Sequence, residues 1–183
     1  MSSLNGVLHA NRIAGADPFA REVSRAQAIA VRVGIGEGEQ IAHGRLSEAR
    51  ELPAFRAAKV RRDAALRPQE RLAAILGGRD AALACEELTL RARLDVDRER
   101  WREAAFQLRV ALEAALAELA PWVDRAPGLP ERLDALRDQR GPVGGAANAA
   151  LQGGLSAEHI EGVQHALGLI EAALRARTAM GIG

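Results

Sequence analysis

A chain of 183 residues with 48% apolar side chains can bury a core without disulfide or metal staples. Its 25 basic and 24 acidic residues leave a net charge of +1, which excludes a global field aimed at nucleic acid or an anionic membrane. Aromatic residues are only 3% and tyrosine is absent, so alanine and leucine must fill the core, and small side chains let helices approach closely.

Lys59 is the only lysine; the arginine bias fits a GC-rich genome as readily as a demand for bidentate binding. Cys85 is the only cysteine, which rules out an intramolecular disulfide or a cysteine-rich zinc site. Its neighbours Ala81, Ala84 and Leu88 share its expected helix face, so it reads as a buried apolar thiol. Residues 1–10 lack a basic segment followed by an apolar run, and no stretch is apolar enough to span a membrane. A cytoplasmic protein with no membrane association is the expectation.

Along the chain, residues 1–17 are small, polar and glycine-containing, and read as an irregular arm. Asp17-Pro18 has the form of a helix start, with a short helix over 19–25. Ile29, Val31, Val33 and Ile35 alternate with small or polar residues, the pattern of a half-buried strand. Gly34, Gly36 and Gly38 turn the chain, and residues 40–46 are the expected return strand of a hairpin. Residues 48–67 read as a linker or a loosely held helix, which divides the chain into an N-terminal arm and linker at 1–67 and a helical bundle at 68–183.

The bundle has clearer signals. Pro68 is expected to open a short helix with Leu72, Ile75 and Leu76 on one face, stopped by Gly77-Gly78. Asp80 is expected to cap the next helix, which buries Ala81, Ala84, Cys85, Leu88 and Ala92. Asp97 is expected to cap a long helix with Trp101, Ala104, Ala105, Leu108, Leu112, Ala115, Leu116 and Leu119 on one face, ended by Pro121. Pro130 begins a helix that breaks at Gly141-Pro142 and resumes through Val143, Ala147, Ala150 and Leu151. Ser156 caps the last helix, whose stripe Ile160, Val163, Leu167, Ile170 and Leu174 is the narrow seam of a bundle helix. The predicted fold is mainly α: an antiparallel helical bundle with a short N-terminal arm that carries a β-hairpin.

Chemistry-bearing motifs are sparse. The glycine loop 34–39 follows a strand, but Glu37 and Glu39 would sit against a bound phosphate and no Gly-Lys-Ser/Thr follows, so a turn is favoured. His9, His43, His159 and His165 lack metallohydrolase spacing, and rim positions are expected for His159 and His165. Nothing in spacing raises Glu37, Glu39 and His43 to an enzyme site. No cofactor or metal is called for. Arg56, Lys59, Arg61, Arg62, Arg67 and Arg71 form a basic run against only Asp63 and Glu70. It is a candidate nucleic-acid contact, although no aromatic platform interleaves with it and a solvated face is favoured.

Residues 80–176 resemble the HEPN family of four-helix, nucleotide-binding bundles. The resemblance rests on the helix pair 81–94 and 98–118, where DRERWREAAFQLRVALEAAL looks like the family's second helix. It rests also on residues 136–147, followed by a Ser156-capped last helix. Many members place an arginine, four to six residues and a histidine before the last helix, and the resemblance implies that this pair, supplied by both subunits of a dimer, would cleave RNA without metal. Arg140 matches the arginine. The histidine positions are Gly145, Ala146 and Ala147, Asn148 lies one place beyond, and Gly141-Pro142 follows the arginine. Imidazole, the group with a pKa near neutrality, is therefore missing. The expected function is a non-catalytic, HEPN-like interaction protein, a homo-oligomer with a further protein partner. The alternative is RNA or nucleotide binding through Arg140 and the run from Arg56 to Arg71.

Overall fold

A computed structural model of the chain describes residues 2–15, 21–23, 28–41, 43–53 and 62–179, excluding the side chains of residues 2, 3, 12 and 62–68. The protein is mainly helical, with one two-stranded antiparallel sheet near the N-terminus. The chain divides into two compact units, Met1–Arg61 and Arg62–Gly183.

In the first unit, the stretch expected to be irregular forms a helix, α1 (Ser2–Ala14). Its polar composition hid it, because Asn5 and Gly6 are weak helix formers. Asn5 is instead used for tertiary bonding: its amide nitrogen donates to the Val23 carbonyl and its oxygen accepts from the Val23 N–H, both at 2.9 Å. The side-chain amide thus imitates a strand partner for residues 21–23, which are not helical. The remainder of the helix expected over 19–25 lies largely outside the described residues.

The hairpin exists, but its strands are β1 (Arg32–Ile35) and β2 (Glu48–Glu51), so the return strand follows the expected segment. Part of that segment is taken up by a 3-10 turn at Gly38–Ile41. The register pairs Arg32 with Glu51 and Ile35 with Glu48. An exposed Arg32–Glu51 ion pair of 3.1 Å lies across the ladder. Gly34 is demanded by packing, because a Cβ there would lie 2.3 Å from the Glu48 carbonyl oxygen. The strands are exposed rather than half-buried, with Ile35 at 71%. Alternation set the strand's existence but could not say what covers it.

In the second unit, α2 (Arg62–Leu76) begins before Pro68, which therefore sits inside the helix and deprives it of one N–H donor. The expected glycine stop holds. Gly78 takes φ +69°, and the N–H groups of Gly77, Gly78 and Arg79 return to the carbonyls of Ala73, Ile75 and Ala74.

The bundle proper consists of α3 (Ala84–Asp97), α4 (Trp101–Leu119), α5 (Leu129–Asp138), α6 (Arg140–Leu151) and α7 (Ala157–Thr178). The helix break expected at Gly141-Pro142 falls at Gln139, so both residues lie in the first turn of α6, where proline is tolerated. Pro121 does follow the end of α4, in a 3-10 turn at Ala120–Trp122.

Two expected caps are replaced. Asp80 lies too far from α3 to cap it, and the α3 amides are taken by Glu86 and Glu118 instead. Asp97 is the last residue of α3, and α4 starts four residues later, after Glu99 turns through φ 56°. Ser156 caps α7 as expected, its Oγ accepting from the His159 N–H.

Cross-helix bonds fix the directions of packing. The start of α3 bonds the end of α4 (Cys85 N–H to Glu118), making that pair antiparallel. Arg102 to the Ala150 carbonyl and Arg140 to Glu113 do the same for α4 and α6. Arg93 to Glu171 and Arg177 to Asp80 do so for the α3 side and α7.

The core is aliphatic. Leu108, Leu112, Leu119, Leu129, Leu133, Leu136, Leu167 and Ile170 are its large buried side chains, each worth about 1.5–3 kcal/mol. Between them sit buried alanines such as Ala104, Ala105, Ala111 and Ala115, while Trp101, Phe106 and Trp122 only flank the core. Ala81, Ala84 and Leu151 are exposed against expectation, and Thr89 and Val96 take inward positions on α3.

Candidate functional site

Arg140 is the first residue of α6 and is exposed. Its guanidinium donates through Nε and Nη2 to both oxygens of Glu113 on α4, at 2.9 and 2.7 Å. The bidentate bond from Arg140 outweighs desolvation and holds the Glu113 carboxyl below its ordinary value, while Glu113 raises that of Arg140. Further along the same seam, Arg109 donates to Asn148 Oδ1 at 3.4 Å and Arg102 Nε donates to the Ala150 carbonyl at 3.1 Å.

The positions where the resemblance puts a histidine are now placed. Ala146 and Ala147 are buried, so a side chain there points into the core and not toward Arg140. Gly145 is exposed, and Asn148 lies eight residues from Arg140, about 12 Å along a helix axis.

Of the candidate basic run, Arg56, Lys59 and Arg61 lie outside the described residues, and Arg62 opens α2 with its side chain also outside them. Arg71, the last of the run, is not a solvated cation. Its Nη2 donates to both Glu86 oxygens at 2.6 and 2.7 Å, and its Nε to Asp80 Oδ2 at 3.1 Å.

That contact belongs to an ionic cluster at the α3 N-terminus that sequence reasoning missed. Arg177, near the end of α7, donates to Asp80 Oδ1, lies 3.5 Å from Glu86, and its side chain is only 3% exposed. Its guanidinium carbon is 4.6 Å from the centre of the Trp122 ring. Its Nε is buried and meets no acceptor among the described residues, and the π face of the indole partly compensates that loss. Glu118 completes the cluster, accepting from the amides of Ala84 and Cys85 at 3.2 and 2.8 Å.

Burial works against ionisation of Asp80, but Arg71, the Ala81 amide and Arg177 together hold its carboxyl below the ordinary value. Glu118 is lowered in the same way, burial being outweighed by its bonds to Cys85 and Ala84. Arg71 is raised, first by its bond to Glu86. Burial and then Glu118 push the Cys85 thiol up to about 12. The cluster joins α2, α3, α4 and α7 by charge-assisted bonds, and no sequence signal ties Arg177 to it. A glutamate at the third position of α3 was the one local hint.

Glu37 and Glu39 lie exposed at the hairpin turn with His43, and no helix of the length an anion site needs begins there. His9 is half-buried on α1, His159 half-buried in the first turn of α7, and His165 exposed. Among the described residues no three His, Cys, Asp or Glu side chains converge to hold a metal ion. No helix of the described residues is long and apolar enough to cross a membrane.

Compared with protein-family models, curated proteins and solved structures, the chain matches none of them.

Proposed function

We propose that this chain is a non-catalytic, HEPN-like interaction module that works in the cytoplasm as a homodimer and engages a further protein. The observation that carries the reading is the engagement of Arg140: its guanidinium is forked onto Glu113, and two of the three positions for a histidine partner are core alanines. The Glu113 carboxylate takes two of the five N–H donors of Arg140 and competes with any phosphoryl oxygen for its charge. Outward apolar side chains supply a surface for association: Leu90 and Leu94 one turn apart on α3, Val110 on α4 and Leu151 on α6. A single, buried cysteine suits a reducing compartment.

Light scattering at micromolar concentration is expected to give a dimer, and a monomer would remove that part of the reading. A labelled generic RNA should survive incubation with the parent and with Arg140→Ala alike; cleavage that the substitution abolishes would overturn it. Fluorescence anisotropy of a labelled single-stranded RNA at two salt concentrations addresses the nucleic-acid alternative. Tight binding that falls steeply with salt would favour that alternative, because phosphate contacts release counterions.

A further inference from the structure

The hairpin of the first unit has two unlike faces. Alternation along β1 sends Arg32 and Gly34 to one face and Val33 and Ile35 to the other, and each shares its face with its cross-strand partner. The first face holds the Arg32–Glu51 ion pair and the Gly34–Ala49 pair, and the hairpin's own loop covers it. A Cβ on Gly34 would meet the Leu46 side chain at 2.6 Å, and one on Gly36 would meet the Ile41 side chain at 3.1 Å. The second face carries Val33 opposite Arg50 and Ile35 opposite Glu48, and it is open, with Val33 59% and Ile35 71% exposed. A two-stranded ribbon is marginal in water until an apolar face is covered.

The charges on this face select what covers it. Arg50 and Glu48 are exposed, stand two residues apart on the open face, and make no ion pair among the described residues. Consider two ribbons stacked face to face, with a two-fold axis between them that crosses the strands level with the Gly34–Ala49 pair. That axis lays Val33 of each copy on Ile35 of the other, and Arg50 of each on Glu48 of the other. Moved one residue to the Val33–Arg50 pair, it would set Arg50 against Arg50. Moved the other way, to the Ile35–Glu48 pair, it would set Glu48 against Glu48. The face complements itself in one register and repels itself in the two beside it.

We propose that the open face of the hairpin is a contact between two copies of this chain, stacked ribbon on ribbon in that register. The proposal rests on the homodimer reading above and names one contact within that dimer. Four residue pairs span only about 13 Å of strand, so the area is far below the roughly 800 Å² per partner of a standard interface. The stacked ribbons therefore fix the register of the dimer and add to its affinity without holding it alone.

Sedimentation equilibrium on the full chain tests this, from about 1 to 100 µM protein in about 0.05 M salt, where surface charges are weakly screened. The samples are the parent, Arg50→Glu, Glu48→Arg, and an equimolar mixture of the two variants. Each substitution alone sets like charges against each other twice and is expected to weaken self-association at least about tenfold. The mixture sets the glutamates of one variant against the arginines of the other, and should return to within about threefold of the parent. Mixing cannot repair a variant that has merely lost its fold. A parent dimer that ignores both substitutions, or a mixture no tighter than its components, would overturn this contact and leave the homodimer reading standing. A parent that stays monomeric throughout the range would remove both.

Discussion

Arg177 and Asp80, 97 residues apart, form a nearly dry ion pair that closes the end of α7 onto the entrance of α3. Removing one partner of such a pair leaves the other charge buried. Arg177→Ala is therefore expected to lower the unfolding free energy by about 3–5 kcal/mol in urea melts. The double substitution Asp80→Asn/Arg177→Met should recover part of that loss. A cost under about 1 kcal/mol for Arg177→Ala would mean that the cluster is wetter than its geometry implies.

Glu118 acts as a cap supplied by a neighbouring helix, binding two α3 amides that have no intrahelical partner. Glu118→Ala should cost about 0.5–2 kcal/mol, in the range of an ordinary helix cap. Hydrogen exchange should place the loss in the first turn of α3, and a change confined to the end of α4 would contradict the capping role.

Acid should destabilise the bundle in a defined window. The folded carboxyls of Asp80 and Glu118 lie below their ordinary values of 3.8 and 4.5, so as pH falls the unfolded chain takes up these protons first. Their contribution is fully present above the ordinary values and disappears as pH drops through the folded ones. Urea midpoints are expected to be flat from neutrality to about pH 5 and to fall below pH 4.5, with a shallower fall in Glu118→Gln. Midpoints that stay level down to pH 3 would show that these bonds contribute little.

The Cys85 thiol is fully buried and raised to about 12, so its thiolate is scarce at neutral pH. Alkylation by iodoacetamide at pH 8 should require opening of the bundle and should accelerate with urea. Because the folded thiol is harder to ionise than the unfolded one at 9.0, stability is also expected to decline as pH rises beyond 9. Rapid labelling of the native protein without denaturant would refute the burial of this side chain.

Legibility in the sequence followed the kind of force at work. The α4 stripe from Ala104 to Leu119 and the α7 stripe through Val163, Leu167 and Ile170 could be read directly, because their spacings of three and four residues place them on one buried face. Ser156 and Gly77-Gly78 were equally readable, since a cap or stop acts on the amides and carbonyls beside it. Asp80 and Asp97 look like caps by the same local rule and are not. Asp80 is drawn to two arginines from distant segments, and Asp97 is absorbed into the end of α3. Helix α1 escaped notice because its residue Asn5 is held by Val23, a partner 18 residues away.

For the candidate site, the sequence by itself determined that no histidine lies between Arg140 and His159. That is a statement about residue identity and needs no coordinates. Only the tertiary structure decided what the charged residues do: Arg140 is spent on Glu113, and Arg71 and Arg177 share Asp80 and Glu86. Hydrophobic patterning is periodic and short-ranged along the chain, so the helices were legible before they were packed. Ion pairing depends on which ends of helices meet, and residues 97 positions apart become partners only once the bundle has closed.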